Sequence, residues 1–280
     1  MNFMPKINVF IICLLIASLS HAQVDMNAEI TPRGTISVQP MRNDFRLKAG
    51  ESQEVKIFIS NRMEKKMQFN VYLSDWRRDT MGMHAYSKPG TEPQSCAKWV
   101  TLDKTFLEVD TASYGIISLK LQMPDSAVAV EEMKWAMLFV ETIRESKAPV
   151  TIGKMKSEIV PNTRFGIHIY QTPPTILQKE LKLYSFASLE NKPDVFRLVC
   201  ENTGKVQLNC KSYIELSSIT DTKKITGITQ EVPLFPGQKR FIDYTIPANT
   251  PKGKYTMVGI VDPGAGMDIE AAQLVVNVHE

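Results

Sequence analysis

The chain has 280 residues, of which 43% are hydrophobic and 22% are charged, a composition typical of a folded protein rather than a disordered one. Its 33 Lys and Arg against 30 Asp and Glu give a net charge of +3, too small to create the basic surface that nucleic acids require. Nucleic acid is therefore excluded as a partner, and the length suits one large or two ordinary domains.

Residues 1–22 have the pattern of a secretory signal peptide. Lys6 supplies the positive charge, a short apolar run covers 7–19, and the segment ends at the small residue Ala22. The apolar run is too short to span a bilayer, and no second run near the required length of about 20 residues follows. We expect cleavage before Gln23, export to the periplasm and no membrane insertion afterwards, with the cell surface or secretion as alternatives.

The first half of the mature chain alternates short apolar stretches with turn residues, which predicts β-strands. In one of them Val55, Ile57 and Ile59 would face inward while their polar neighbours face outward. Seven strands in about 135 residues fit one immunoglobulin-like sandwich. The predicted strands are 36–38, 54–59, 68–73, 99–102, 115–121, 134–141 and 163–171.

Two tryptophans of this half receive different interpretations. Trp135 begins the apolar run 135–140, and a tryptophan in such a strand usually packs between the two sheets. Trp76 lies within the charged cluster 75–79, which indicates a strand that ends in solvated charges. The alternative for that cluster is a grip on a sugar or an acidic peptide.

Pro173 and Pro174 mark a domain boundary, because two consecutive prolines suit a stiff linker and cannot donate hydrogen bonds to a sheet. A second set of seven strands follows. The sequence thus predicts an all-β protein with two immunoglobulin-like β-sandwich domains in tandem, 23–172 and 173–280. The predicted strands of the second domain are 181–186, 195–201, 206–216, 224–232, 240–246, 253–261 and 270–278.

Three cysteines follow the signal peptide: Cys96, Cys200 and Cys210. An exported chain can oxidise them, and the last two flank a turn at 202–205, so a Cys200–Cys210 disulfide is one prediction. Buried free thiols are the alternative, because simple hairpin pairing leaves Cys210 about three residues beyond the position opposite Cys200, on the order of 10 Å along the strand.

The sequence contains no motif that predicts a metal, a cofactor or catalysis. His84, His168 and His279 are far apart and have no neighbouring cysteine pair, so zinc spacing is absent. No serine lies in a nucleophile elbow and no cysteine has an evident histidine partner. We expect a protein that is not an enzyme.

Three segments together resemble a known family. They are VQPMRNDFRLKAGESQEVKIFISN near the start of the first domain, KWAMLFVE in its late core strand and TRFGIHIYQTPP before the second domain. With the export signal and the two sandwiches, they make the chain similar to the periplasmic pilus chaperones of the PapD type. The resemblance covers nearly the whole mature chain.

The resemblance implies a partner and a mode of binding. Such chaperones hold a partly folded subunit in the cleft between their domains and lend it a strand from the last edge of the first domain. Here that strand is 163–171, with Phe165, Ile167 and Ile169 on one face expected to contact the partner. The preceding stretch 154–161 departs from the family, because it is polar and contains a proline where family members carry bulky apolar residues.

Family members also hold the terminal carboxylate of the subunit with two basic residues. Alignment on the tyrosine before the linker places these at Ile167 and near Gln39 or Pro40, none of which is basic. The nearest basic residues are Arg164 and Arg42, which become the candidate anchors.

Two functions of different classes follow. The first is a periplasmic, chaperone-like protein that binds an exported or surface-assembled subunit by strand addition. The second is a structural or adhesive envelope protein that binds surface polymers or envelope proteins through its loops.

Overall fold

The computed structural model describes residues 34–125, 131–143, 150–152, 155–157, 162–175 and 178–279. The predicted signal peptide lies outside the described residues.

The first half forms a sandwich of two sheets. One sheet has the strand order β1-β3-β8-β6; the other has the order β2-β12-β9-β4-β5, with β7 also paired to β4, and β10 and β11 form a separate hairpin. A short 3-10 helix, Ala97–Trp99, precedes β6. The strands are β1 (Ile36–Gln39), β2 (Arg42–Phe45), β3 (Ser52–Asn61), β4 (Met67–Arg78), β5 (His84–Ser87), β6 (Val100–Leu102), β7 (Phe106–Val109), β8 (Ser113–Gln122), β9 (Lys134–Ile143), β10 (Val150–Ile152), β11 (Met155–Ser157) and β12 (Arg164–Gln171).

The core of this sandwich lies between the two sheets and is built by alternation along the strands. Ile57 and Ile59 of β3 face Leu138 of β9, and all three side chains are fully buried in one cluster. Each side chain of this kind stabilises the fold by about 1.5–3 kcal/mol relative to an exposed position. The inward-facing side chains predicted for Ile57 and Ile59 of β3 are therefore confirmed.

The first two strands of the described chain lie in different sheets. β1 pairs antiparallel with β3, with Ile36 opposite Asn61, and the chain then crosses at Pro40 to the other sheet. There β2 runs parallel to β12, with Arg42 opposite His168. Because of this crossing, β2 pairs with only part of β12.

The second half forms another sandwich. One sheet has the order β13-β14-β18, and the other has the order β16-β15-β19-β20 with β17 paired to β15. Its core is a separate cluster that includes Leu198, Ile214, Leu216 and Met257. The strands are β13 (Leu181–Leu189), β14 (Lys192–Asn202), β15 (Leu208–Ser218), β16 (Lys224–Thr226), β17 (Gln230–Leu234), β18 (Lys239–Thr245), β19 (Gly253–Asp262) and β20 (Glu270–Val278).

The predicted all-β fold with two sandwiches is confirmed. The boundary predicted after Thr172 falls in the stretch between β12 and β13. The sequence pattern missed three four-residue strands, β2, β5 and β7.

The structure contradicts the disulfide between Cys200 and Cys210, because both are free, fully buried thiols. Cys200 lies in β14 and Cys210 in β15, which belong to opposite sheets and do not pair as a hairpin. Burial raises the pKa of each thiol to about 12, which keeps both protonated and unreactive at neutral pH. Cys96 is also a buried free thiol.

In the part of the chain that the structure describes, no helix is long and apolar enough to cross a membrane. The same part holds no group of three or more His, Cys, Asp or Glu side chains placed to bind a metal ion.

Candidate functional site

The outer face of the sheet β2-β12-β9-β4-β5 is apolar, although an outward face of a sandwich is usually polar. On β9 Leu138 and Val140 point into the core, so Met137 and Phe139 point outward. They belong to a second cluster, separate from the core, that we call the aromatic face. Its buried members are Trp76, Met133, Trp135, Met137, Phe139, Tyr170 and Phe235.

The second sandwich covers one end of the aromatic face. Phe235 comes from the turn between β17 and β18, and its ring centroid lies 5.0 Å from those of Trp76 and Trp135. The Phe241 N–H also donates to the carbonyl of Thr80 at 2.8 Å. The two sandwiches are thus joined by aromatic packing and by backbone hydrogen bonds.

Trp76 is the centre of this junction and is 1% exposed. Its Nε1 donates to the carbonyl of Ala136 at 3.2 Å, and Nε1 of Trp135 donates back to the carbonyl of Trp76 at 2.8 Å. The solvated strand end predicted around Trp76 and the position between the sheets predicted for Trp135 are both wrong. One signal was available, since Tyr72 and Trp76 share a face of β4 at a period of two.

Two histidines, which the sequence analysis considered only as metal ligands, extend the aromatic face. The rings of His84 and His168 lie 4.9 and 5.0 Å from that of Trp76, and the Tyr170 hydroxyl lies 3.1 Å from His168 Nδ1. Burial, assisted by the nearby positive charges of His84, Arg78 and Arg42, lowers the pKa of His168 to about 4. At neutral pH this ring is uncharged and acts as part of the apolar surface.

Strand β12 is paired on one side along its whole length and on the other side along only half. β9 pairs with all of Arg164–Gln171, whereas β2 pairs only with 168–171. Among the described residues, none pairs with the outer side of 164–167. The residues that precede Arg42 do not extend β2, because they form β1, which lies in the other sheet. We call 164–167 the open edge.

The backbone groups of the open edge can be assigned from the neighbouring hydrogen bonds. The N–H of His168 donates to the carbonyl of Met41 at 3.0 Å, so even-numbered residues of β12 point toward the side of β2. Because the direction alternates along a strand, the backbone groups of Arg164 and Gly166 point to the open side. These groups are available to an added strand.

The aromatic face reaches the open edge. The Arg164 guanidinium lies 4.3 Å from the ring centroid of Phe139 and 5.5 Å from that of Tyr86. A hydrogen bond with Tyr72 raises the pKa of Arg164, so its charge is permanent. Gly166 has no side chain to cover the rings, and a Cβ there would lie 3.1 Å from Met137 Sδ.

Arg42, the other candidate anchor, is already paired. Its Nε and Nη2 donate to the two carboxylate oxygens of Asp44 at 2.7 Å, and its guanidinium lies 4.5 Å from the Tyr170 ring centroid. Arg42 stands opposite His168, four residues from Arg164 and so about 13 Å away along the strand. The structure does not bring the two arginines together into one anchor.

The structure corrects the predicted partner-contacting side chains. Ile167 and Ile169 are 0% exposed, and Phe165 packs against the same core. The reason is the register with β9, which sets Ile167 opposite Leu138 and Ile169 opposite Ala136, both of which face the core. Side-chain contact with a partner is wrong for both isoleucines, and the open edge offers backbone groups in their place.

No family model and no curated protein matches the chain. It is similar to solved structures of pilus chaperones. A chaperone–tip adhesin complex of CFA/I fimbriae is 11% identical over 87% of this chain and 98% of that chain, with a TM-score of 0.47. The CsuC–CsuE chaperone complex of Acinetobacter baumannii is 11% identical over 85% and 97%, with a TM-score of 0.46. The E. coli chaperone DraB is 13% identical over 86% and 98%, with a TM-score of 0.44.

These are proteins of the class that the sequence resembles.

Proposed function

We propose that the chain is a non-enzymatic, chaperone-like protein of the periplasm that binds an exported or surface-assembled polypeptide by strand addition. The observation that supports this most directly is the open edge 164–167 of β12, which lies beside the aromatic face. A partner strand placed there would continue the sheet at the point where β2 leaves it.

The open edge alone provides limited affinity. Backbone groups of Arg164 and Gly166 offer a few hydrogen bonds, each worth about 0.5–1.5 kcal/mol net. The ring of Tyr86 beside them, 44% exposed, adds apolar surface worth about 25 cal/mol for each Å² that a partner covers. The proposal therefore requires a partner strand with at least one apolar side chain on the side of the aromatic face.

Arg164 is a better anchor than Arg42 for an acidic group of the partner. Arg164 is exposed at the open edge, whereas the guanidinium of Arg42 already donates two hydrogen bonds to Asp44. A carboxylate next to Arg164 would form a charge-assisted hydrogen bond of the strong kind.

A matched pair of variants tests strand addition. Arg164→Pro removes both the side chain and the outward N–H, whereas Arg164→Ala removes only the side chain. Proline is tolerated at a strand edge where its missing N–H faces away from the sheet, so both variants should fold. We expect periplasmic partner recovery, measured by affinity purification and mass spectrometry at equal levels of folded protein, to fall by a further factor of about 2 to 10 for Arg164→Pro, because the lost N–H accounts for one hydrogen bond of about 0.5–1.5 kcal/mol.

Equal recovery with both variants would contradict strand addition. A partner retained by both but lost when surface loops are exchanged would favour the loop-binding envelope protein instead. Ile167→Pro is unsuitable for this purpose, because the Ile167 N–H points toward β9 and the side chain is in the core.

A further inference from the structure

Two histidines from strands that are not neighbours meet over the aromatic face. His84 begins β5 and His168 lies in β12, and β4 and β9 separate these two strands in the sheet. Their ring centroids are 5.8 Å apart, and each ring packs against Trp76, at 4.9 Å for His84 and 5.0 Å for His168. Contact with the same indole limits the movement of both rings. We call His84 and His168 the histidine pair.

Each ring of the histidine pair has a nitrogen that no group of the described chain occupies. On His168, Nδ1 lies 3.1 Å from the Tyr170 hydroxyl, which leaves Nε2. This Nε2 has no hydrogen-bond partner among the described residues and is not one of their fully buried polar atoms, so it reaches solvent. His84 is exposed, and its ring forms no hydrogen bond with the described residues. A partner on the second nitrogen, such as the Tyr170 hydroxyl, is the usual device that orients a metal-binding histidine.

The separation of the two rings suits one metal ion between them. An imidazole nitrogen bound to a metal lies about 2 Å from the ion. Once the distance from that nitrogen to the ring centre is included, two imidazoles on one ion have centroids about 5–6.5 Å apart, depending on the angle at the ion. The observed 5.8 Å falls inside this range. Binding therefore requires at most rotation of the two rings, and neither strand has to move.

The charges around the histidine pair restrict the kind of ion. Burial is the first cause that lowers the pKa of each ring, and the positive charge of Arg78 contributes to both shifts. Arg42 contributes at His168, and its own carboxylate partner, Asp44, is already held by two hydrogen bonds. The charges of the described chain that act on these rings are thus positive. A divalent ion at this position would be repelled without a carboxylate to offset the repulsion.

A soft ion of charge +1 meets both conditions, because it is repelled less and is satisfied by two neutral ligands. Imidazole is a ligand that suits copper. We propose that the histidine pair binds one copper(I) ion through one ring nitrogen of His84 and one of His168, and that the ion links β5 to β12 over Trp76. This site is separate from the open edge, and the proposal does not depend on strand addition.

A titration with silver(I), the air-stable analogue of copper(I), tests the proposal by NMR. The mature chain carries ¹⁵N-labelled histidines, in a chloride-free buffer at 25 °C, where the protein stays folded and its three cysteines stay buried. The ring ¹⁵N signals of His84 and His168 should shift together and saturate at one equivalent. The signal of His279, which is exposed at the end of the second sandwich, should not shift at that ratio. Copper(I) added without oxygen should shift the same two signals.

Variants of single histidines test whether the two rings share the ion. Changes beyond the direct ligands of a metal already weaken binding about 10–100-fold, so loss of a ligand should weaken it at least as much. In His84→Gln the His168 signal should therefore no longer saturate at one equivalent. His279→Gln is the matched control and should bind as the wild type does. A variant with both Met81→Leu and Met83→Leu, which removes two exposed thioethers from the neighbouring turn, should also bind normally.

Three results would overturn the proposal. One is a His168 response that is unchanged in His84→Gln, because the rings would then bind separately or not at all. Another is loss of the response in the methionine variant, which would place the ion at the turn. The third is zinc(II) binding as tightly as silver(I), because the positive surroundings would then not select a monovalent ion. His84 is exposed, so its variant should fold, and the backbone amide spectrum checks this.

Discussion

The two sandwiches share an internal device and differ on their surfaces. Asn61 ends β3 of the first sandwich and Asn202 ends β14 of the second, and each is 0% exposed. In both asparagines, Oδ1 accepts a hydrogen bond from the backbone N–H of the residue two positions later in the chain. Nδ2 donates a hydrogen bond to the backbone carbonyl of the residue four positions later, and all four donor–acceptor distances are 2.9 Å. Nδ2 also donates to a carbonyl at the end of another strand, Val109 or Leu234.

The outer faces show no such correspondence. In the second sandwich, the sheet of β15 and β19 has a polar outer face on β15, where Lys211 and Glu215 alternate with the buried Cys210 and Ile214. In the first sandwich, the sheet of β4 and β9 carries the aromatic face around Trp76 on its outer side. The buried asparagine is thus common to both sandwiches, whereas the aromatic face and the open edge belong to the first, with Phe235 of the second covering one end of the aromatic face.

The largest effect is expected from a substitution that disrupts the aromatic face. Trp76→Ala should lower the free energy of unfolding by about 3–5 kcal/mol, because the ring is fully buried and contacts both sandwiches. Urea unfolding followed by circular dichroism measures this change. Trp99→Ala, at a half-buried site in the same sandwich, is the control and should cost less. Equal costs would mean that the aromatic face does not hold the junction.

A second test asks whether the asparagine device is equivalent in the two sandwiches. Asn61→Ala and Asn202→Ala each leave several buried backbone groups without a partner, and each should cost about 3 kcal/mol. Urea unfolding of each variant gives the comparison. A cost confined to one of them would show that the shared geometry does not reflect a shared energetic role.

A third and smaller effect is a pH dependence of stability that arises from His168 in the first sandwich. The pKa of His168 is about 4 in the folded chain and about 6.5 when unfolded, so between these values the unfolded chain binds more protons. Stability should therefore be complete above pH 6.5 and be lost as the pH falls toward 4, by about 1–2 kcal/mol once solvent screening of the half-buried ring is included.

His168→Gln should remove this loss, and urea unfolding at a series of pH values measures it. In the described part of the second sandwich the only histidine, His279, is exposed. An unchanged pH profile in the variant would contradict burial of a neutral ring at the aromatic face.

The long alternating strands could be predicted from the sequence, and the short ones could not. β3 repeats apolar residues at every second position from Val55 to Ile59, and β8 does so from Ile117 to Leu121, which predicts both the strand and its inward face. β2 has four residues, RNDF, and becomes a strand only because β12 lies beside it. Local pattern contains no information about such a distant partner.

The same limit applies to the site. The sequence identified 163–171 as an edge strand, but the covered half of β12 is decided by β2, more than 120 residues earlier. On β9 the run 135–140 is apolar on both faces, so alternation could not tell which side of Trp135 faces the core. Phe235, which covers that side, comes from a turn of the other sandwich.

Amide hydrogen exchange along β12, measured by NMR, tests the open edge most directly. In the free protein the amides of Arg164 and Gly166 should exchange rapidly, whereas those of Phe165 and Ile167, bonded to β9, and of His168, bonded to Met41, should be protected. In the complex with a co-purified partner, Arg164 and Gly166 should also become protected. Slow exchange of these two amides in the free protein, or unchanged fast exchange in the complex, would contradict the account.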